Sequence, residues 1–221
     1  MRVKICGITN LKDAKFAVSF DADALGFIVG VRRKTEDAIS PEEARRIIRS
    51  LPPYVSSVLV TDLLEAKHVI ELCKATGATI IQLQDETPLD EIRRVRKSLP
   101  SIRLVKAVHV IGPQAVDKAR SYEGFVDAIL LDTINVKEDR TGGTGLTHDW
   151  RISRRIRERC YLPVILAGGL KPENIEEAIR IVQPYGVDVN SGVENSEGGL
   201  HGRKDPDRVK AFIEKAKKFT L

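Results

Sequence analysis

A chain of 221 residues is long for one small domain and short for two, and its hydrophobic fraction of 42% is enough for a sizeable core. Charged residues make up 30%, with both signs interspersed, which excludes a disorder-like chain. The net charge of +5 is spread over candidate helices beside Glu and Asp. No aromatic residues interleave with a basic stripe, so the charge reads as a solvated surface that favours small anionic ligands over nucleic acid.

The elements follow one another in a single rhythm. Candidate strands are Val3–Cys6, Ala24–Val29, Val55–Val60, Thr79–Leu83, Arg103–Val108, Ala128–Leu131, Pro163–Ala167 and Val187–Val189. Several are β-branched and apolar on both sides, as buried parallel strands should be. Polar, amphipathic helices fit between them. Ser40-Pro41-Glu42-Glu43 is a capping signal, with Ser40 as cap and Pro41 in the first turn. Thr87-Pro88 opens a fourth helix, Leu170-Lys171-Pro172-Glu173 a seventh, and Asp205-Pro206 a last one. Alternating strand and helix with short links predicts a parallel sheet, and eight such units over this length close best into a single (β/α)8 TIM barrel spanning residues 1–221. A doubly wound sheet is the alternative.

The three cysteines, Cys6, Cys73 and Cys160, are too few and too far apart for a disulfide framework or a zinc site. Met1–Lys4 runs at once into a strand pattern, with no signal peptide before it and no apolar run long enough to span a membrane. The expectation is a cytoplasmic protein that takes a small molecule, without nucleic acid, membrane or metal, as a monomer or homodimer.

Barrels of this kind use the strand ends and the loops after them. Cys6 ends the first strand and Asp132 follows the sixth, so both side chains should face the mouth. A thiolate there can act as base if cations lower its pKa, or the thiol can be a small buried hydrophobe. A carboxyl there can act as acid if the site is partly dry, or it can cap a turn. Gly168-Gly169 follows the seventh strand, and Asn190-Ser191-Gly192 the eighth. Loops at these two places commonly bind phosphate through backbone N–H groups. Gly142–Gly145 reads as a flap over the same end. Strand alternation puts Lys4 on the side of Cys6, inside the barrel, and Lys106 and Asp188 are candidates to point inward with it.

Taken together, Lys4–Asn10, Leu130–Thr133, Gly142–Gly145, Leu166–Leu170 with Pro172–Asn174, and Val187–Glu194 resemble the phosphoribosylanthranilate isomerase family of tryptophan biosynthesis. The resemblance spans nearly the whole chain. It implies a cofactor-free Amadori rearrangement of a phosphorylated glycosylamine on a (β/α)8 barrel. Asp132 would be the general acid and Cys6 the general base. Gly168, Gly169, Ser191 and Gly192 would hold the phosphate, Asp188 would meet the substrate amine, and Gly143 in the flap would also bind substrate.

The departures cluster at one end. The family usually carries an Arg shortly before its Ile-Ser-Pro-Glu segment to bind the anthranilate carboxylate. Here Asp37 stands near that position, and the loop is about two residues longer. Arg32 and Arg33 are the nearest replacements. Val58–Asp62 lacks the family's phenylalanine and asparagine, and Gln84-Asp85 replaces its frequent His-Gly. These changes leave three readings open: an authentic family enzyme, a paralogous isomerase of another phosphoribosylamine, and a catalytically silent phosphate-binding barrel.

Overall fold

A computed structural model describes residues 1–32, 35–135, 140–141, 147–195 and 202–219. Eight parallel strands form a closed barrel: β1 (Arg2–Ile5), β2 (Ala24–Ile28), β3 (Ser56–Thr61), β4 (Ile80–Leu83), β5 (Arg103–His109), β6 (Ala128–Asp132), β7 (Val164–Leu166) and β8 (Gly186–Val189). Round the barrel they run β1-β8-β7-β6-β5-β4-β3-β2. Strand β1 closes the ring by pairing with β8 on one side and β2 on the other, so Lys4 lies opposite both Asp188 and Ala24. The helices are α1 (Leu11–Ser19), α2 (Pro41–Ile48), α3 (Ala66–Thr76), α4 (Leu89–Ser98), α5 (Ala115–Arg120), α6 (Trp150–Arg159), α7 (Ile175–Val182) and α8 (Pro206–Lys217).

Local chemistry explains most of the boundaries. Ser40 caps α2 by accepting from the Glu43 N–H at 3.1 Å, and Asp205 caps α8 by accepting from the N–H groups of Asp207 and Arg208. Pro41 and Pro206 take first-turn positions, where a missing N–H costs nothing. The seventh helix starts at Ile175, later than the Pro172 signal suggested. Asn174 is the reason: its Oδ1 accepts from the Lys171 N–H at 2.9 Å and its Nδ2 donates to the Gly169 carbonyl at 3.0 Å, which folds the segment into a turn. After β6, Ile134–Asn135 and Arg140–Thr141 form a short antiparallel ribbon. The expected Gly142–Gly145 flap, with Gly143, lies outside the described residues.

Alternation along the strands separates two environments. One set of side chains, among them Leu25, Phe27, Leu59, Ile81, Leu104, Ile129 and Leu166, packs against the helices in the main core. Burying each large apolar side chain there contributes roughly 1.5–3 kcal/mol. The other set fills the barrel itself: Val105, Ala107, Ala128, Leu130 and Ala167 on one side, and Cys6, Val58 and Val60 on the other. Lys106 belongs to the first set, contrary to the expectation that it points inward. Its ammonium lies 5.1 Å from the centre of the Tyr122 ring and donates to the Ala107 carbonyl. Burial lowers its pKa to about 8.

Candidate active site

At the C-terminal ends of the strands opens a cavity of about 770 Å³. Its lining includes Cys6, Gln82, Gln84, Asp132 and Asp188, together with the loops after β7 and β8. Cys6 follows β1 directly, and its N–H continues the ladder to the Val189 carbonyl at 2.8 Å, so the thiol is fixed by sheet geometry. Room for it comes from Gly26 on β2: a Cβ there would stand 2.7 Å from the thiol sulfur and 2.8 Å from Lys4 Cε. Lys4 lies one side-chain repeat below Cys6. Its Nζ donates to Asp188 Oδ2 at 2.8 Å and Gln82 Oε1 at 2.7 Å, and lies 3.5 Å from Cys6 Sγ.

The expected cation beside the thiol is therefore present, but it does not lower the thiol's pKa below the ordinary value. Burial pushes Cys6 up to about 11, and the Lys4 charge only partly opposes this, with Asp188 and Asp37 adding to the rise. For Lys4, burial works against the ammonium, yet the Asp188 carboxylate and the Cys6 thiolate outweigh it and its pKa is raised. The other oxygen of Asp188, Oδ1, is buried and has no hydrogen-bond partner among the described residues. It is a ready acceptor at the cavity wall.

Asp132 ends β6 and is 8% exposed. Burial raises its pKa, while His109, the Thr133 N–H and Gln84 pull it down less strongly. Thr133 N–H donates to Oδ1 at 2.7 Å and Gln84 Nε2 to Oδ2 at 2.8 Å. Gln84 Oε1 in turn accepts from Gln82 Nε2 at 2.7 Å. His109 pairs with Asp132 across the β5–β6 ladder, and burial holds its pKa down. In the barrel order β6 stands three places from β1 through β8 and β7, so carboxyl and thiol flank the cavity from well-separated strands.

The loops after β7 and β8 form one end of the cavity. Gly168 has φ +81°, in the left-handed region that favours glycine, and a Cβ there would meet Thr133. A Cβ at Gly192 would run into the Leu170 carbonyl. Close backbone packing thus accounts for both glycines before any ligand is considered. Ser191–Val193 is a single 3-10 turn, and Arg208 ties it down by donating Nε and one terminal nitrogen to the Gly192 carbonyl at 3.1 and 3.0 Å.

Asp37 is buried and accepts from Asn190 Nδ2 at 2.6 Å, which ties the loop after β2 to the loop after β8. Asp37 also accepts from the Thr35 hydroxyl. Arg32 does not itself line the cavity but stands beside it, next to the lining residues Val31 and Asp62. Its backbone N–H donates to Asp62 at 2.8 Å, its guanidinium pairs with Asp85, and its Nε lies 3.7 Å from Asp62. Arg33 lies outside the described residues. Sequence reasoning found Cys6, Asp132, Asp188 and the two glycine loops, which the fold brings to one cavity. It assigned no site role to Gln82, Gln84 or Gly26. The available signal was a polar amide at an inward strand position, and a glycine within an apolar strand.

The profile of a family described as N-(5'phosphoribosyl)anthranilate (PRA) isomerase matches residues 3–215. The chain is 45% identical over 217 residues to an N-(5'-phosphoribosyl)anthranilate isomerase 2 of Methanosarcina mazei, covering 98% of this chain and 94% of that protein. Among solved structures it is similar to phosphoribosyl anthranilate isomerase from Thermotoga maritima, with TM-score 0.85 and 40% identity over 99% of this chain and 100% of that one. It is also similar to a phosphoribosyl anthranilate isomerase in complex with reduced 1-(o-carboxyphenylamino)-1-deoxyribulose 5-phosphate, with TM-score 0.83 and 39% identity over 99% and 100% of the two chains.

Proposed function

The chain belongs to the N-(5'-phosphoribosyl)anthranilate isomerase family, and from that membership we propose how its own residues carry the reaction. It isomerises N-(5'-phosphoribosyl)anthranilate to the 1-(2-carboxyphenylamino)-1-deoxyribulose 5-phosphate of tryptophan biosynthesis. Membership decides among the readings left open by the motifs, against a paralogue and against a silent barrel.

The phosphate rests against Gly168, Gly169, Ser191 and Gly192, and the sugar spans the cavity between Asp132 and Cys6. Protonated Asp132 gives its proton to the furanose ring oxygen. The C1′–O bond breaks as the amine lone pair forms a C1′=N iminium. Cys6, having released its thiol proton to solvent, then takes the C2′ proton; the pair left behind forms the C1′=C2′ bond of an enolamine and the iminium π pair returns to nitrogen. Tautomerisation to the ketone puts a proton on C1′ and removes one from the C2′ hydroxyl, and exchange with solvent restores ionised Cys6 and protonated Asp132. Asp188 Oδ1 accepts from the amine N–H, and Arg32 at the rim meets the carboxylate.

The observation that carries this reading is the pairing of environments across the cavity. Burial raises the carboxyl, which favours a proton donor, and raises the thiol, which makes its ionised form a stronger base. An iminium cation beside Cys6 offsets part of the cost of ionising it. The three unpaired thiols suit a reducing compartment such as the cytoplasm.

Turnover in deuterated water tests the route. The account expects product carrying one deuterium at C1′, found by mass spectrometry. A well-folded protein that forms no product from this substrate would overturn it.

A further inference from the structure

We propose that Gln82 and Gln84 are positioning residues: they form a one-way chain of hydrogen bonds from Lys4 to Asp132 that fixes how the carboxyl is held and ties its proton affinity to the cation beside Cys6. The proposal rests on reading Asp132 as the general acid.

The direction of the chain follows from donor and acceptor inventory. A lysine ammonium has donors only, so Gln82 must present its oxygen to Lys4, which it does at 2.7 Å. That leaves Gln82 Nε2 for the next link, and it donates to Gln84 Oε1 at 2.7 Å. Gln84 must then turn Nε2 to Asp132 Oδ2, at 2.8 Å. Reversing either amide would set donor against donor, at Gln82 in a buried place, since Gln82 is 3% exposed and Lys4 7%. The Thr133 N–H occupies Asp132 Oδ1. Both carboxyl oxygens therefore accept one protein hydrogen bond each, and the remaining lone pairs are left for the proton delivered into the cavity.

The chain carries orientation, not protons, because neutral amides do not relay them. Its effect on Asp132 has a definite sign. A donor to the carboxylate favours the ionised form, so the chain opposes burial and keeps the acid able to release its proton. The other groups facing Asp132 are His109 on β5 and Asp188 on β8, while β7 alongside carries no titratable residue between Val164 and Leu166. Gln84 bonds to neither His109 nor Asp188, and Gln82 reaches Asp188 only through the Lys4 ammonium they share.

The test is the titration of the Asp132 carboxyl, read by 13C NMR on the full chain and assigned with Asp132→Asn. Gln84→Met removes the donor and should move the midpoint up by about one pH unit. Gln82→Met touches neither carboxyl oxygen, yet it should move the midpoint the same way, because nothing then holds the Gln84 amide in its orientation. Gln84→His keeps an N–H at that place and should leave the midpoint at or below the wild-type value. An unchanged midpoint in Gln82→Met overturns the chain, as does a raised one in Gln84→His. Turnover is measured on the same samples. A wild type that does not isomerise the substrate refutes the assigned reaction, while the titration still decides the chain.

Discussion

At the rim of the cavity, Arg32 is shared between Asp85 and Asp62, so a substrate carboxylate has to compete with two that are already there. Its side chain is 44% exposed, and an ion pair that wet holds by about 0–1 kcal/mol. A charged ligand that also fills the cavity can displace such a partner. Arg32→Ala should therefore raise KM about tenfold and leave kcat within about twofold, the pattern of an interaction equal in ground and transition states. Steady-state kinetics decide it, and an unaltered KM would move carboxylate recognition elsewhere on the mouth. Cys6 and Asp132 were legible as residues because a strand end followed by a loop exposes a side chain on a rigid support. Gln84 registered only as a departure from a motif. Its partners lie 48 residues away at Asp132 and two residues away at Gln82, and no local spacing announces the first of these.

His148 works at the scale of elements. It stands just before α6, and its ring bridges Thr133 Oγ1 at 2.9 Å and Ser153 Oγ at 2.6 Å, clipping the helix start to the end of β6 beside Asp132. Burial lowers its pKa from 6.5 to about 4. The unfolded chain therefore takes up a proton at this site before the folded one does. The ring's contribution to stability should be constant above about pH 6.5 and should fall as the pH drops toward 4. Urea midpoints measured across this range should fall less steeply for His148→Gln than for wild type. Equal slopes would mean that the ring titrates freely in the fold. Strand and helix positions were legible within a few residues because periodicity and caps are local. The start of α7 was not, since Asn174 reaches back to Gly169 and Lys171 and replaces a helical turn with its own side-chain bonds. The inward face of β5 was also misjudged: apolar residues flank Lys106 on both sides, so alternation alone does not say which face it takes, and Tyr122 from beyond α5 supplies the outer surface that Lys106 covers.

Over the whole molecule, closure is what makes the site. Lys4 meets Gln82 across 78 residues of sequence and Asp188 across 184: the second contact follows from the pairing of β1 with β8, and the first spans the barrel interior to β4. The alternation of strand and helix revealed the barrel, and the barrel told which ends of the strands carry chemistry. The polar interior below the cavity was only partly foreseeable: a buried Lys demands a carboxylate, which pointed to Asp188, but the amides that extend the network to Asp132 depend on register between strands far apart in sequence. The central claim is that this mouth isomerises N-(5'-phosphoribosyl)anthranilate with Asp132 as acid and Cys6 as base. Turnover of freshly prepared substrate, followed by loss of its fluorescence, tests this most directly when wild type is run beside Cys6→Ser and Asp132→Asn. The account predicts rapid turnover by wild type and a loss of at least about a hundredfold in each variant with ligand binding retained. Turnover unchanged in either variant, or absent in a well-folded wild type, would contradict it.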